Sequence, residues 1–134
     1  MLLGAGADFN AANNFGTTPI YAAAFHGHHQ VVVILLLAGA DMNARRSGVT
    51  LISIAAQNGH HQVVKVLLAA GVDKDAAMDD GGTSIYAAAC SGHHQVVEML
   101  IAAGADKNAA MNDGRTPIMI ASLQRHQMIV WLLA

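Results

Sequence analysis

Eight histidines are the residues of this chain best equipped for chemistry, as metal ligands or proton carriers. They include three adjacent pairs, His28-His29, His60-His61 and His93-His94. Neighbours on a helix point about 100° apart, so such a pair does not close on one ion as an i, i+4 pair does. A metal site would have to bridge separate pairs, and no cysteine or carboxylate is spaced to complete it, so none is expected. Cys90, the one cysteine, has no basic neighbour in sequence to activate it and no partner for an internal disulfide. Gly81-Gly82 and the Gly-Ala-Gly near the start lack the Lys-Ser/Thr or full glycine pattern of a phosphate loop. Neither a catalytic residue nor a cofactor is expected.

What the histidine pairs do show is periodicity. Each opens the hexapeptide Gly-His-His-Gln-Val-Val after its glycine, starting at Gly27, Gly59 and Gly92, at steps of 32 and 33 residues. A fixed period in this range means one supersecondary unit stacked on copies of itself. The chain divides into the tail of a preceding unit (1–13), three units (14–45, 46–78, 79–111) and a truncated fourth (112–134).

Each unit predicts two short helices. Thr18 serves as N-cap with Pro19 at the first helical position, and Gly27 ends the helix in a left-handed turn. A second helix follows at once, from His28 to about Leu37. Thr50, Thr83 and Thr116 take the capping slot of the other units, followed by Leu51, Ser84 and Pro117. The second unit is one residue short between Gly39 and Gly48, in the connection that leads to its first helix. Neither helix is long enough to stand alone. Val31, Val32, Leu35 and Leu36 make an apolar face that needs burial between units, as do the equivalent residues from Val63 and Val96.

The pattern Gly-x-Thr-Pro, Ala-Ala-x-x-Gly-His, a Val-Val-Leu-Leu helix and Gly-Ala-Asp-x-Asn resembles the ankyrin-repeat family. It runs through Gly16–Asn43, Gly48–Asp75, Gly81–Asn108 and from Gly114 to the last residue. The resemblance implies an all-α solenoid of stacked helix–turn–helix units with short β-hairpin-like fingers, and a non-enzymatic role in binding another protein. It also implies that His28, His60, His93 and His126 tie neighbouring loops through ring hydrogen bonds. Two departures stand out. Tyr21, Ser53, Tyr86 and Met119 replace the histidine of the family's Thr-Pro-Leu-His signature, five residues after the glycine that opens each match, and Arg125 stands where the other units have the inter-helix glycine.

The resemblance further places partner contacts at the finger tips and at the two variable residues before the inter-helix glycine. The tips are Asn14, Phe15 and Thr17; Arg46, Ser47 and Val49; Asp79, Asp80 and Gly82; and Asn112, Asp113 and Arg115. The helix positions are Phe25 and His26, Gln57 and Asn58, Cys90 and Ser91, and Leu123 and Gln124. Phe15 and Phe25 are the expected anchors, because a large ring at an exposed position suits a hot spot. Val33 and Leu37 add an apolar patch on the outer face of the first unit.

Composition agrees with this class. The chain is 54% hydrophobic and 12% charged, with a net charge of −2, which offers no electrostatic footprint for nucleic acid. Its longest apolar run, from Val31 to Ala40, is too short to span a bilayer, so no membrane partner is expected. An intracellular setting, cytoplasmic or nuclear, is the expectation. The run Trp131-Leu132-Leu133 at the last unit suggests an alternative function, a self-assembling array built by head-to-tail stacking.

Overall fold

The computed structural model describes residues 11, 12 and 16–134. Four helix pairs follow one another: α1 (Pro19–His26) and α2 (His29–Leu37), α3 (Leu51–Gln57) and α4 (His61–Ala69), α5 (Ser84–Ser91) and α6 (His94–Ala102), α7 (Pro117–Leu123) and α8 (Gln127–Leu133). Each first helix packs on its own second helix and on the first helix of the next pair, while the second helices form a parallel row behind them. The result is two layers of short helices stacked along one direction, the all-α architecture the resemblance implies.

Local sequence explains where each helix begins and stops. Thr18, Thr50 and Thr116 are extended N-caps whose hydroxyls accept from Tyr21 N–H, Ser53 N–H and Met119 N–H. Gly27 and Gly92 take φ of 77° and 83° and close α1 and α5 in the left-handed conformation. Thr83 departs from the expected grammar. Its backbone is extended like the other caps, yet its hydroxyl caps nothing and is buried without a hydrogen-bond partner. Ser84, in the slot that Pro19 and Pro117 occupy elsewhere, donates its own hydroxyl to the Lys74 carbonyl at 3.1 Å.

The core is a set of columns that repeat from pair to pair. Leu35, Leu67, Leu100 and Leu133 form one, and Ile20, Ile52 and Ile85 another, all at most 3% exposed. Ala23, Ala55, Ala88 and Ala121 line the first helices, small enough to let neighbouring backbones approach. The expected faces of the second helices are buried at Val32 and Leu35, Val63, Val64 and Leu67, and Val96, Val97 and Leu100, with Val31, Leu36, Leu68 and Ile101 at their rims.

Fingers project between the pairs. Residues 45–50 form a two-stranded antiparallel hairpin, β1 (Arg45–Arg46) with β2 (Val49–Thr50), Arg45 opposite Thr50 and Arg46 opposite Val49. Its turn is Ser47-Gly48, both at positive φ (51° and 81°), the pattern of a two-residue type I′ turn. The 78–82 and 111–115 fingers are one residue longer at the turn, and each closes with a wider pair of bonds, Met78 N–H to Gly82 O at 2.8 Å and Met111 N–H to Arg115 O at 2.8 Å. The missing residue of the second unit therefore appears as a tighter finger.

Candidate partner-binding face

Three of the eight histidines are occupied in holding the stack. His60 Nε2 donates to Phe25 O at 2.9 Å, His93 Nε2 to Gln57 O at 3.0 Å and His126 Nε2 to Cys90 O at 3.2 Å. Each ring reaches back one unit to a carbonyl at the end of a first helix, where helical carbonyls lack partners. Each ring also lies flat against the preceding inter-helix glycine. A Cβ on Gly27, Gly59 or Gly92 would stand 2.6–2.7 Å from the ring of His60, His93 or His126. Loop acids have a similar task. Asp41, Asp73 and Asp106 each accept from the N–H two residues on, and Asp75 Oδ1 accepts from Asp106 N–H of the following unit at 2.9 Å. Among the described residues, no three His, Cys, Asp or Glu side chains converge as a metal site.

The residues expected to meet a partner lie on the finger and first-helix side. Asn14 and Phe15 fall outside the described residues. At the fingers, Ser47, Asp79, Asp80, Asn112, Asp113 and Arg115 are exposed, while Thr17, Arg46 and Val49 are half-buried. Some of these tips also fasten one finger to the next. Asn112 N–H donates to Asp80 O at 2.8 Å and its Nδ2 to Asp79 O at 2.9 Å. Arg45 Nη1 donates to Gly48 O and across to Ala77 O. On the helices, Phe25, His26, Gln57, Ser91, Leu123 and Gln124 are exposed, and Asn58 and Cys90 half-buried. Phe25 is 40% exposed and meets the His26 ring edge-on at 5.0 Å. Asn58 Nδ2 donates to the Phe25 carbonyl at 3.2 Å and is thereby committed to the stack.

Two cavities open on this side, two units apart, each against a tyrosine. One, of about 280 Å³, is lined by Tyr21, Phe25, His26 and Arg46. The other, of about 210 Å³, is lined by Met78, Asp80, Tyr86, Cys90 and Met111. Burial pushes both phenols above their ordinary pKa, opposed by Arg46 at Tyr21 and by Arg115 at Tyr86. Arg115 lies over the Tyr86 ring, 5.9 Å from its centroid, and its Nε donates to Asp113 Oδ2 at 2.7 Å. The backbone N–H of Arg115, followed by its side chain, holds the Asp113 carboxyl below the usual range. Met78, Tyr86 and Met111 are additions that tip-by-tip reasoning misses. The signal for them was the double glycine Gly81-Gly82, which no other finger has.

Elsewhere the surface carries scattered apolar side chains. Val33, Ile34 and Leu37 are exposed on α2, and Met128 and Trp131 on α8. Trp131 occupies the slot of Lys65 and Glu98, exposed even between stacked units, so it faces outward and is not part of the stacking surface. Leu133 corrects the expectation for the last unit, because it is 3% exposed and belongs to the core column of Leu35, Leu67 and Leu100. The open end of the stack is instead marked by Met119 and Ser122, exposed where the equivalent Tyr86 and Ala89 are buried.

A family model described as ankyrin repeats (3 copies) matches residues 1–78 and again residues 52–134. The chain belongs to the ankyrin-repeat family. Ankyrin repeats generally mediate protein–protein interactions and are typically non-enzymatic modules. No curated protein matches the chain. Among the described residues, no helix is long and apolar enough to cross a membrane. Within these ankyrin repeats the substituted signature position has a visible cost: Ser53 Oγ and Tyr86 Oη are buried without hydrogen-bond partners. At the turn of the last ankyrin repeat, Arg125 takes φ of 62°, the strained counterpart of the glycines in the other three.

Proposed function

We propose that this ankyrin domain is a non-enzymatic scaffold that holds a partner protein across its finger tips and first-helix face. The observation that carries the reading is a division of labour. The His60, His93 and His126 rings, which repeat from unit to unit, are spent on the stack, whereas residues that differ between units, such as Phe25, Gln57, Ser91 and Asp79, remain exposed on one side. Variable exposed residues on a rigid frame are what recognition needs, since little ordering is left to do on binding. Partner capture from the source proteome by the parent domain tests this, beside a Phe25→Ala, Gln57→Ala, Ser91→Ala variant and an outer-face Val33→Ser, Leu37→Ser variant. Loss of a captured protein in the first variant alone is expected. Equal capture by both, or loss only in the second, would move the interface off this face. Head-to-tail self-assembly is the weaker reading. In-register stacking on the last repeat would bring an incoming histidine ring onto Arg125, which has a Cβ where Gly27, Gly59 and Gly92 have none.

A further inference from the structure

Gly82 lies under the Met78 and Met111 side chains that line the cavity beside Tyr86. That glycine has no positive φ, so backbone conformation does not require it. Space does: a Cβ there would stand 3.0 Å from Asp80 Oδ1, 3.1 Å from Met78 Cε and 3.2 Å from Met111 Sδ. The equivalent Thr17, Val49 and Arg115 all carry side chains. Here two methionines from successive fingers, Met78 and Met111, fold over the same point, with a hollow of about 210 Å³ beside them. Methionine walls are flexible and polarizable, so they close around an apolar guest of imprecise shape. Drug-sized ligands fill roughly 300–1,000 Å³, so this hollow suits a single side chain.

Two further features describe the guest. The Tyr86 hydroxyl is buried at this wall with no hydrogen-bond partner, and Tyr86 as a whole is 7% exposed. At the rim, Asp113 and Arg115 pair with one another, which leaves the exposed Asp79 and Asp80 carboxylates to set a negative local charge. Asp80 is turned partly inward, accepting from Gly82 N–H at 2.9 Å.

We propose that this cavity is the anchor subsite of the binding face, taking one leucine- or methionine-sized side chain of a partner segment whose flanking residues are lysine or arginine. The guest side chain lies between the two thioethers, and its basic neighbours meet Asp79 and Asp80. The inference rests on the reading that this side of the domain binds protein, and it names the chemistry that side selects.

The test uses the isotope-labelled 134-residue domain titrated by nuclear magnetic resonance with three capped tripeptides: Arg-Leu-Arg, Glu-Leu-Glu and Arg-Ser-Arg. Arg-Leu-Arg is expected to shift the Met78 and Met111 methyls and the Tyr86 and Cys90 amides at millimolar concentration, with the other two binding about tenfold more weakly or not at all. Gly82→Val adds the side chain that Val49 supplies in the preceding repeat and presses on the Asp80 carboxylate and on the two methionine ends that wall the hollow, all of them side-chain atoms. It should fold and lose the Arg-Leu-Arg response. Cys90→Phe, which copies Phe25 of the first repeat, fills the same hollow from the helix side and should do likewise. The proposal is overturned by an unchanged response in both variants, by equal binding of Glu-Leu-Glu, or by no shift at about 10 mM peptide. Shifts confined to the Phe25 and His26 end would also overturn it, and would leave the face itself standing as a binding surface.

Discussion

The His60 ring rests on the Cα of Gly27 while its Nε2 donates to the Phe25 carbonyl two residues earlier, at 2.9 Å. One side chain therefore satisfies a helix end and occupies the space a Cβ would need, and the same contact recurs at Gly59 with His93 and at Gly92 with His126.

Coupling between the two residues follows. In Gly59→Ala the new methyl meets the His93 ring and also strains a φ of 73°. The left-handed strain costs about 1–2 kcal/mol, and loss of the ring hydrogen bond about 1 kcal/mol more. In a His93→Ala background only the strain remains. Urea unfolding of the four proteins in this cycle should show a coupling of about 1 kcal/mol, and strict additivity would mean that the ring moves aside at no cost.

Arg125 offers the converse experiment. It carries a φ of 62° with no following ring on it among the described residues, so Arg125→Gly relieves strain without opening a hole. The expected gain is about 1 kcal/mol in unfolding free energy, net of the extra freedom glycine has when unfolded. A destabilised variant would show that the Arg125 side chain makes a contact worth more than the strain.

The capping threonines should divide into two kinds. Thr50→Val removes a hydroxyl that accepts from Ser53 N–H at 3.1 Å and should cost about 1 kcal/mol. Thr83→Val removes a buried hydroxyl with no partner, so it should be neutral or stabilising. Equal losses at both sites, measured by thermal unfolding, would show that Thr83 caps its helix after all.

Alkaline titration should reveal the two tyrosines. Burial keeps the Tyr21 and Tyr86 phenols protonated above their ordinary value, so the folded state retains protons that the unfolded chain releases. Their contribution is fully present below about pH 10, the unfolded value, and is lost as pH rises through the raised folded values. Relative to a Tyr21→Phe, Tyr86→Phe variant, the parent should lose stability only above about pH 10. A difference that grows on acidification would point to another group.

Much of the frame was legible because it repeats. Thr18-Pro19, the inter-helix glycines and the valine-leucine faces recur at one spacing, and the single deletion before Gly48 surfaced as the tight Ser47-Gly48 turn. Contacts between units were harder to read. Met78 and Met111 lie 33 positions apart and meet only because successive fingers stack over Gly82. Thr83 carries the right residue type in the right slot, but a hydroxyl's orientation depends on the packing around it. Trp131 and Leu133 belong to one apolar run in the sequence, although the period itself assigns one to the outward column of Glu98 and the other to the core column of Leu100.

The glycine–histidine contact also bears on how such a chain can lengthen by duplication. Each of the first three units supplies a bare Cα that receives a ring from the unit after it, so the junction is polar, with a donor side and a receptor side. Copying a segment that holds both, such as the stretch around Gly59 and His60, regenerates a sound junction at either boundary. Copying the stretch around Arg125 and His126 in tandem would not, because the second copy's ring would arrive on a side chain. Growth by duplication is open to the first three repeats and closed to the fourth, and one arginine makes the difference.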